Sequence, residues 1–159
     1  MKPQAIIVDL DGTLIDSEHR IVYDINGEID LDRSCKEEDI KRDQLIKPIG
    51  ELVWAMKAMG HLTIIYLTAR SERYRKVTID WLNTNMPTTL AHTVLLMRPD
   101  DNHDPDYICK SELFSLHIKD KYDVLFAVDD NNDNTRMFNR YGILTLLVSK
   151  GANYEKSIS

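Results

Sequence analysis

The stretch Ala5-Ile6-Ile7-Val8-Asp9-Leu10-Asp11-Gly12-Thr13-Leu14 decides how this chain folds. Its first four residues are apolar and mostly β-branched, the composition of a strand buried on both faces of a parallel sheet. Open α/β sheets bind ligands beyond the carboxyl ends of such strands. Side chains two apart on an extended chain project to the same side, so Asp9 and Asp11 are placed to face one small substrate group. Gly12 then permits a sharp exit that a residue with a Cβ would resist. Asp-x-Asp-Gly also occurs in tight turns and in calcium loops, but an EF-hand loop needs a glutamate at its twelfth position. Arg20 stands there, and the calcium reading fails.

Working outward, further apolar strands are predicted at residues 61–67, 93–97, 124–128 and 143–148, with helical spacing at residues 49–59 and 71–84 and around Lys110. Gly60 is a natural stop for the first of these helices. Alternating strands and helices in a chain of 159 residues predict one α/β domain over residues 1–150, built on a central parallel sheet of about five strands. Residues 151–159 read as a polar tail. Asn26-Gly27, flanked by residues 20–24 and 28–31, is a hairpin signal and predicts a small β-hairpin flap over about residues 15–32. The charged residues 34–43 read as a loop with a short helix, and no separate cap domain fits between Gly12 and His61 or between Arg70 and Lys110. The site is therefore expected to be open. No apolar run is long enough to span a bilayer, and Met1 to Gln4 passes into the first strand without an export leader, so a cytoplasmic protein is expected. Cys35 and Cys109 lack metal spacing and are expected to be free thiols.

Chemistry-bearing residues fall at each strand end. Thr68-Ala69-Arg70 follows the second strand, Lys110 lies in the helix after the third, and Asp129-Asp130-Asn131-Asn132-Asp133 follows the fourth. Singly these have ordinary readings: a threonine at a helix cap, a solvated lysine, a capping turn rich in Asp and Asn. Jointly, and in this order, they resemble the four motifs of the haloacid dehalogenase (HAD) superfamily of phosphotransferases. The resemblance implies a Rossmannoid three-layer sandwich and an aspartyl-phosphate mechanism. Asp9 is then the nucleophile and Asp11 the acid and base. Thr68 and Lys110 contact the phosphoryl oxygens. Asp9, Asp129, Asp130 and the Asp11 backbone carbonyl hold Mg2+. A helix starting at Ser71 would also bring its amino-terminal N–H groups near the anion.

Within that superfamily the chain is similar over nearly its whole length to the 3'-phosphatase domain of the bacteriophage polynucleotide kinase/phosphatase family. The discriminating matches are Arg20 in the flap, Arg70 two places after Thr68, and Asp106 four residues before Lys110. The resemblance implies that Arg20 and Arg70 contact the substrate phosphate or adjacent backbone, and that Asp106 orients Lys110 or an arginine. No Gly-x-x-x-x-Gly-Lys-[Ser/Thr] loop is present, so the likeness is to the phosphatase half alone. A net charge of -6 argues against strong non-specific affinity for a long polyanion. The expected partner is a 3'-phosphorylated nucleic acid end or nucleotide, with oligomeric state open. A 5'(3')-nucleotidase or other small-molecule phosphatase and a non-catalytic binding module are the alternatives.

Overall fold

The computed structural model describes residues 1–27, 29–86 and 92–150, so the predicted tail lies outside the described residues. Five parallel strands form the central sheet: β1 (Gln4–Val8), β4 (Thr63–Ser71), β5 (Thr93–Arg98), β6 (Asp123–Asp129) and β7 (Thr145–Leu147). Their spatial order is β5-β4-β1-β6-β7, which puts the strand that ends in Asp9 at the centre.

Burial explains why β1 is apolar throughout. Ala5 and Ile7 face a core shared with α5 (Asp106–His117) and α6 (Asn132–Arg140), which contribute Leu113, Phe114, Met137 and Phe138. Ile6 and Val8 face the opposite core, where α3 (Lys47–Ala58) supplies Val53 and α4 (Arg75–Asn85) supplies Trp81 and Leu82. The two helical layers leave no solvated face on the central strand, so no polar alternation appears in its sequence. Among the described residues, no helix is long and apolar enough to cross a membrane. Cys35 and Cys109 are free and buried.

Two expectations change in detail. The strand leading through Thr68 continues to Ser71, a 3-10 turn covers Glu72–Tyr74, and α4 begins only at Arg75. Pairing with β5 shifts register after Thr68 and resumes at Ser71 opposite Arg98, which displaces the helix amino terminus away from Thr68. The helix-dipole contribution expected beside the anion is therefore absent from this end. The insertion after β1 is also larger than a hairpin. Tyr23 does bridge Ile29 antiparallel around the predicted Asn26-Gly27 turn, where Gly27 has a φ of 81°. Its root, however, is an antiparallel pair of β2 (Ile15–Asp16) with β3 (Gln44–Leu45), and α1 (Leu31–Ser34) and α2 (Glu37–Ile40) lie between.

Phe138 is fully buried and meets Phe114 edge to face, with ring centroids 6.3 Å apart. Phe138→Ala is expected to lower stability by about 3–5 kcal/mol in equilibrium denaturant unfolding. A loss below 1 kcal/mol would mean that this core is not tightly packed.

Candidate active site

The carboxyl ends of β1, β4 and β6 converge on Asp9, Thr68 and Asp129, all buried. The chain leaves β1 in a tight loop whose hydrogen bonds collect on one carbonyl: Leu10 O accepts from Thr13 N, Leu14 N and Ile15 N. Gly12 sits in this loop at a φ of 84°, and a Cβ built there would clash with the Asp130 carboxylate. Glycine is thus required both for the backbone conformation and for the approach of Asp130. Thr13 Oγ1 fixes that carboxylate from the same loop, donating to Asp130 Oδ1 at 3.2 Å.

Lys110 is the cation at the centre. It projects from α5 with 1% exposure, and its Nζ donates to Asp9 Oδ1 at 2.8 Å and to Asp129 Oδ2 at 2.9 Å. Asp106, one helical turn earlier, stands 3.4 Å from the same ammonium. Burial by itself would discharge this lysine, but Asp9, Asp106 and Asp129 hold its pKa well above the ordinary lysine range. Burial also pushes Asp9 well above the usual carboxylate range, Lys110 opposes this, and Asp129 and Asp130 reinforce it. Oxygens of Asp9, Asp129 and Asp130 lie within 4.8 Å of one another. One ammonium cannot balance that many carboxylates, and an all-oxygen donor set suits a hard divalent cation. The residues therefore fit the metal that the motif implies. Asp11 stands outside this carboxylate cluster because its side chain points elsewhere.

Asp11 is held by two guanidinium groups. Arg70 binds it with two hydrogen bonds, Nε to Oδ2 at 2.6 Å and Nη2 to Oδ1 at 2.7 Å, and Arg20 Nη2 donates to Oδ1. Burial would raise the Asp11 pKa, yet Arg70 and Arg20 outweigh it and lower the value to about 2. Behind the arginines lies Asp43, its side chain fully buried. It accepts from Arg20 Nε at 2.7 Å and from Arg70 Nη2 at 2.7 Å. Trp81 Nε1 pins the Asp43 carbonyl at 2.8 Å, and Arg20 Nη1 also reaches Ser34 O at 2.6 Å. The two arginines expected to meet the substrate are 3% and 1% exposed at their side chains and are engaged by Asp11 and Asp43. Only Asp11, with 30% of its side chain exposed, faces outward from this group.

Two residues of the site were not singled out in the sequence. Asp43 was one acidic position among several in a charged stretch. Asn134 was hidden in a run that also caps a helix: Asn131 does cap α6, accepting from Asp133 N and Asn134 N. Asn134, however, is fully buried, and its Nδ2 donates to Asp106 Oδ2 at 2.8 Å and to both oxygens of Asp129. It thereby joins two of the three acidic partners of Lys110. The polar signal that could have found it is an asparagine one helical turn into an otherwise capped helix.

Comparison with known proteins bears on the family and the fold. The family model described as the polynucleotide kinase PNKP phosphatase domain matches residues 3–153. A protein of Autographa californica nuclear polyhedrosis virus, named "Putative bifunctional polynucleotide kinase/RNA ligase", is 28% identical over 144 residues, which are 91% of this chain and 19% of that protein. A chain in the structure of the Pnkp1/Rnl/Hen1 RNA repair complex superposes with a TM-score of 0.75 at 30% identity, covering 95% of this chain and 44% of that one. A second structure of the Pnkp1/Rnl/Hen1 complex gives a TM-score of 0.74 at 30% identity, covering 92% of this chain and 46% of the other. The chain thus spans less than half the length of these relatives.

The depressed Asp11 pKa makes a stability statement. Its contribution is fully present above about pH 4 and is lost as pH falls toward the folded value of about 2. With the partial exposure discounted, the stability gap between the parent and Asp11→Asn should narrow by about 1–2 kcal/mol between pH 6 and pH 2.5 in denaturant titrations. A gap independent of pH would contradict the ion pairing.

Proposed function

The chain belongs to the polynucleotide kinase phosphatase-domain family, and we propose that it is a Mg2+-dependent phosphomonoesterase that removes the 3'-phosphate from nucleic acid ends. The observation that carries the reading is the pairing at the end of β1, where Lys110 faces Asp9 and the arginine pair faces Asp11. Two carboxylates on one strand end are thereby kept chemically distinct.

In this reading Asp9 attacks phosphorus in line, the ester oxygen departs, and an aspartyl-phosphate forms. A carboxylate approaching a phosphate dianion meets strong repulsion. Asp9, Asp129, Asp130 and the Asp11 backbone carbonyl would hold Mg2+, which supplies charge neutralisation for that approach. Lys110 and Thr68 bind equatorial oxygens as charge spreads during transfer. Lys110 is preplaced for this by Asp106 and Asn134, so no reorganisation of its ammonium is needed. Asp11 stands beside the leaving oxygen and carries its proton. A phosphate dianion arriving next to Asp11 raises its pKa by like-charge repulsion, the direction required for proton delivery to the departing alkoxide. Afterwards the Asp11 carboxylate takes a proton from the water that hydrolyses the acyl phosphate. Arg20 and Arg70 bear on the substrate through Asp11, whose position and charge they set.

The relatives include the viral "Putative bifunctional polynucleotide kinase/RNA ligase" and a chain of an RNA repair complex. These likenesses favour an RNA end as the substrate, with an end-sealing enzyme acting on the hydroxyl that is left.

The test is phosphate release, with Mg2+ or EDTA, from matched oligonucleotides phosphorylated at the 3' or the 5' end, with mononucleotides alongside. Selective release from the 3' end, abolished by EDTA, is the expected result. Equal release from both ends, or from mononucleotides alone, would place the protein in nucleotide metabolism. Asp11→Asn should lower kcat by about 10²–10⁴-fold, the usual contribution of a general acid–base.

A further inference from the structure

Beside the catalytic group lies a cavity of about 250 Å³ that the mechanism above does not use. Three segments border it, and each also borders the site. The flap insertion contributes Ile29 and Cys35, the end of β4 and its 3-10 turn contribute Ser71 and Tyr74, and the segment before α5 contributes Arg98 and His103. Its position relative to the chemistry follows from strand order. From β6 through β1 and β4 to β5, the sheet presents Asp129 and Asp130, then Asp9, then Thr68 and Arg70, then this cavity. Asp11 is drawn toward β4 by its two hydrogen bonds from Arg70. A leaving oxygen protonated by Asp11 therefore departs on the β4 side, and the group attached to it continues toward β5.

The lining indicates what that group is. Asp30, Asp100 and Asp104 border the cavity, as does Arg73, whose guanidinium is paired with Asp100 at 3.6 Å, so carboxylates outnumber the cations of the lining. Arg98, its buried guanidinium, is committed to the carbonyls of Ala69 and Asp104 and to Asn102 Oδ1. A row of carboxylates disfavours a phosphodiester, while amide, imidazole and carboxylate edges suit the donors and acceptors of a neutral base. Tyr74 packs against Cys35, Ile40 and Val77, which makes its ring a fixed platform rather than a mobile surface side chain. Bases of single strands stack on such rings. The volume is below the roughly 300–1,000 Å³ of sites that bury a drug-sized ligand, which limits the occupant to one nucleoside rather than a run of nucleotides.

We propose that this cavity receives the terminal nucleoside of the 3'-phosphorylated strand, with Tyr74 as the stacking platform and His103 at the base edge. The proposal rests on the phosphatase reading, so its test is made on binding as well as turnover. Affinities of adenosine 3'-phosphate and of ribose 3-phosphate for the Asp9→Asn protein are compared by calorimetry. Adenosine 3'-phosphate should bind about tenfold more tightly, the lower range of one base–aromatic stack. Tyr74→Ala should bring the ratio close to one, Tyr74→Trp should preserve it, and His103→Ala, at an exposed position remote from the core, should reduce it. Equal affinities in the parent, or a ratio indifferent to both Tyr74→Ala and His103→Ala, would overturn the subsite. Failure of the unsubstituted protein to hydrolyse any phosphomonoester would instead overturn the phosphatase reading, and the affinity ratio would still decide whether the cavity binds a base.

Discussion

Two carboxylates two residues apart at the end of one buried strand cannot both be tolerated unless each has its own cation. Asp9 has Lys110, delivered from α5, and Asp11 has Arg20 and Arg70, delivered from the flap and from β4. In a site of low dielectric the difference in partner decides the difference in protonation. A single ammonium shared among Asp9, Asp106 and Asp129 leaves an excess of negative charge on the β6 side. Paired guanidinium groups leave Asp11 firmly ionised on the β4 side. In the proposed mechanism, this electrostatic asymmetry across the strand is what would divide nucleophile from proton carrier.

The same ion network ties the flap to the sheet. Asp43 accepts from both arginines, while its backbone carbonyl accepts from Trp81 in α4. Residues far apart in the chain are thus locked around a buried charge balance of two arginines and two aspartates. Buried ion pairs of this kind gain little net stability, but breaking one side is costly, about 3–5 kcal/mol, because the partner is left uncompensated. What the network provides is placement. The flap cannot shift without disturbing Arg20, and Arg20 cannot shift without disturbing Asp11.

Much of the architecture was legible in the sequence because local signals agreed with it. Ala5 to Val8 reads as a doubly buried strand, and it is one. β6 ends at Asp129 and β4 carries Thr68 and Arg70 toward its carboxyl end, since in a parallel sheet these ends lie on one edge. The missing parts depend on contacts that a linear reading does not hold. The extension of β4 to Ser71 comes from pairing with β5, and nothing local distinguishes Ser71 to Tyr74 from the start of a helix. Arginines in a phosphatase motif suggest contact with substrate. That they turn inward depends on Asp43, whose partners lie 23 and 27 positions away. Asn134 was masked by Asn131, which has the capping role that the whole cluster shares in composition.

The central claim is that Asp9, rather than a water molecule, attacks phosphorus. Acid quenching within a single turnover of an oligonucleotide carrying a 3'-[32P]phosphate tests it directly. The account predicts protein-bound label that neutral hydroxylamine releases, that maps to the peptide containing Asp9, and that disappears together with turnover in Asp9→Asn. Turnover by Asp9→Asn at the parental rate, without labelled protein at any time point, would contradict it.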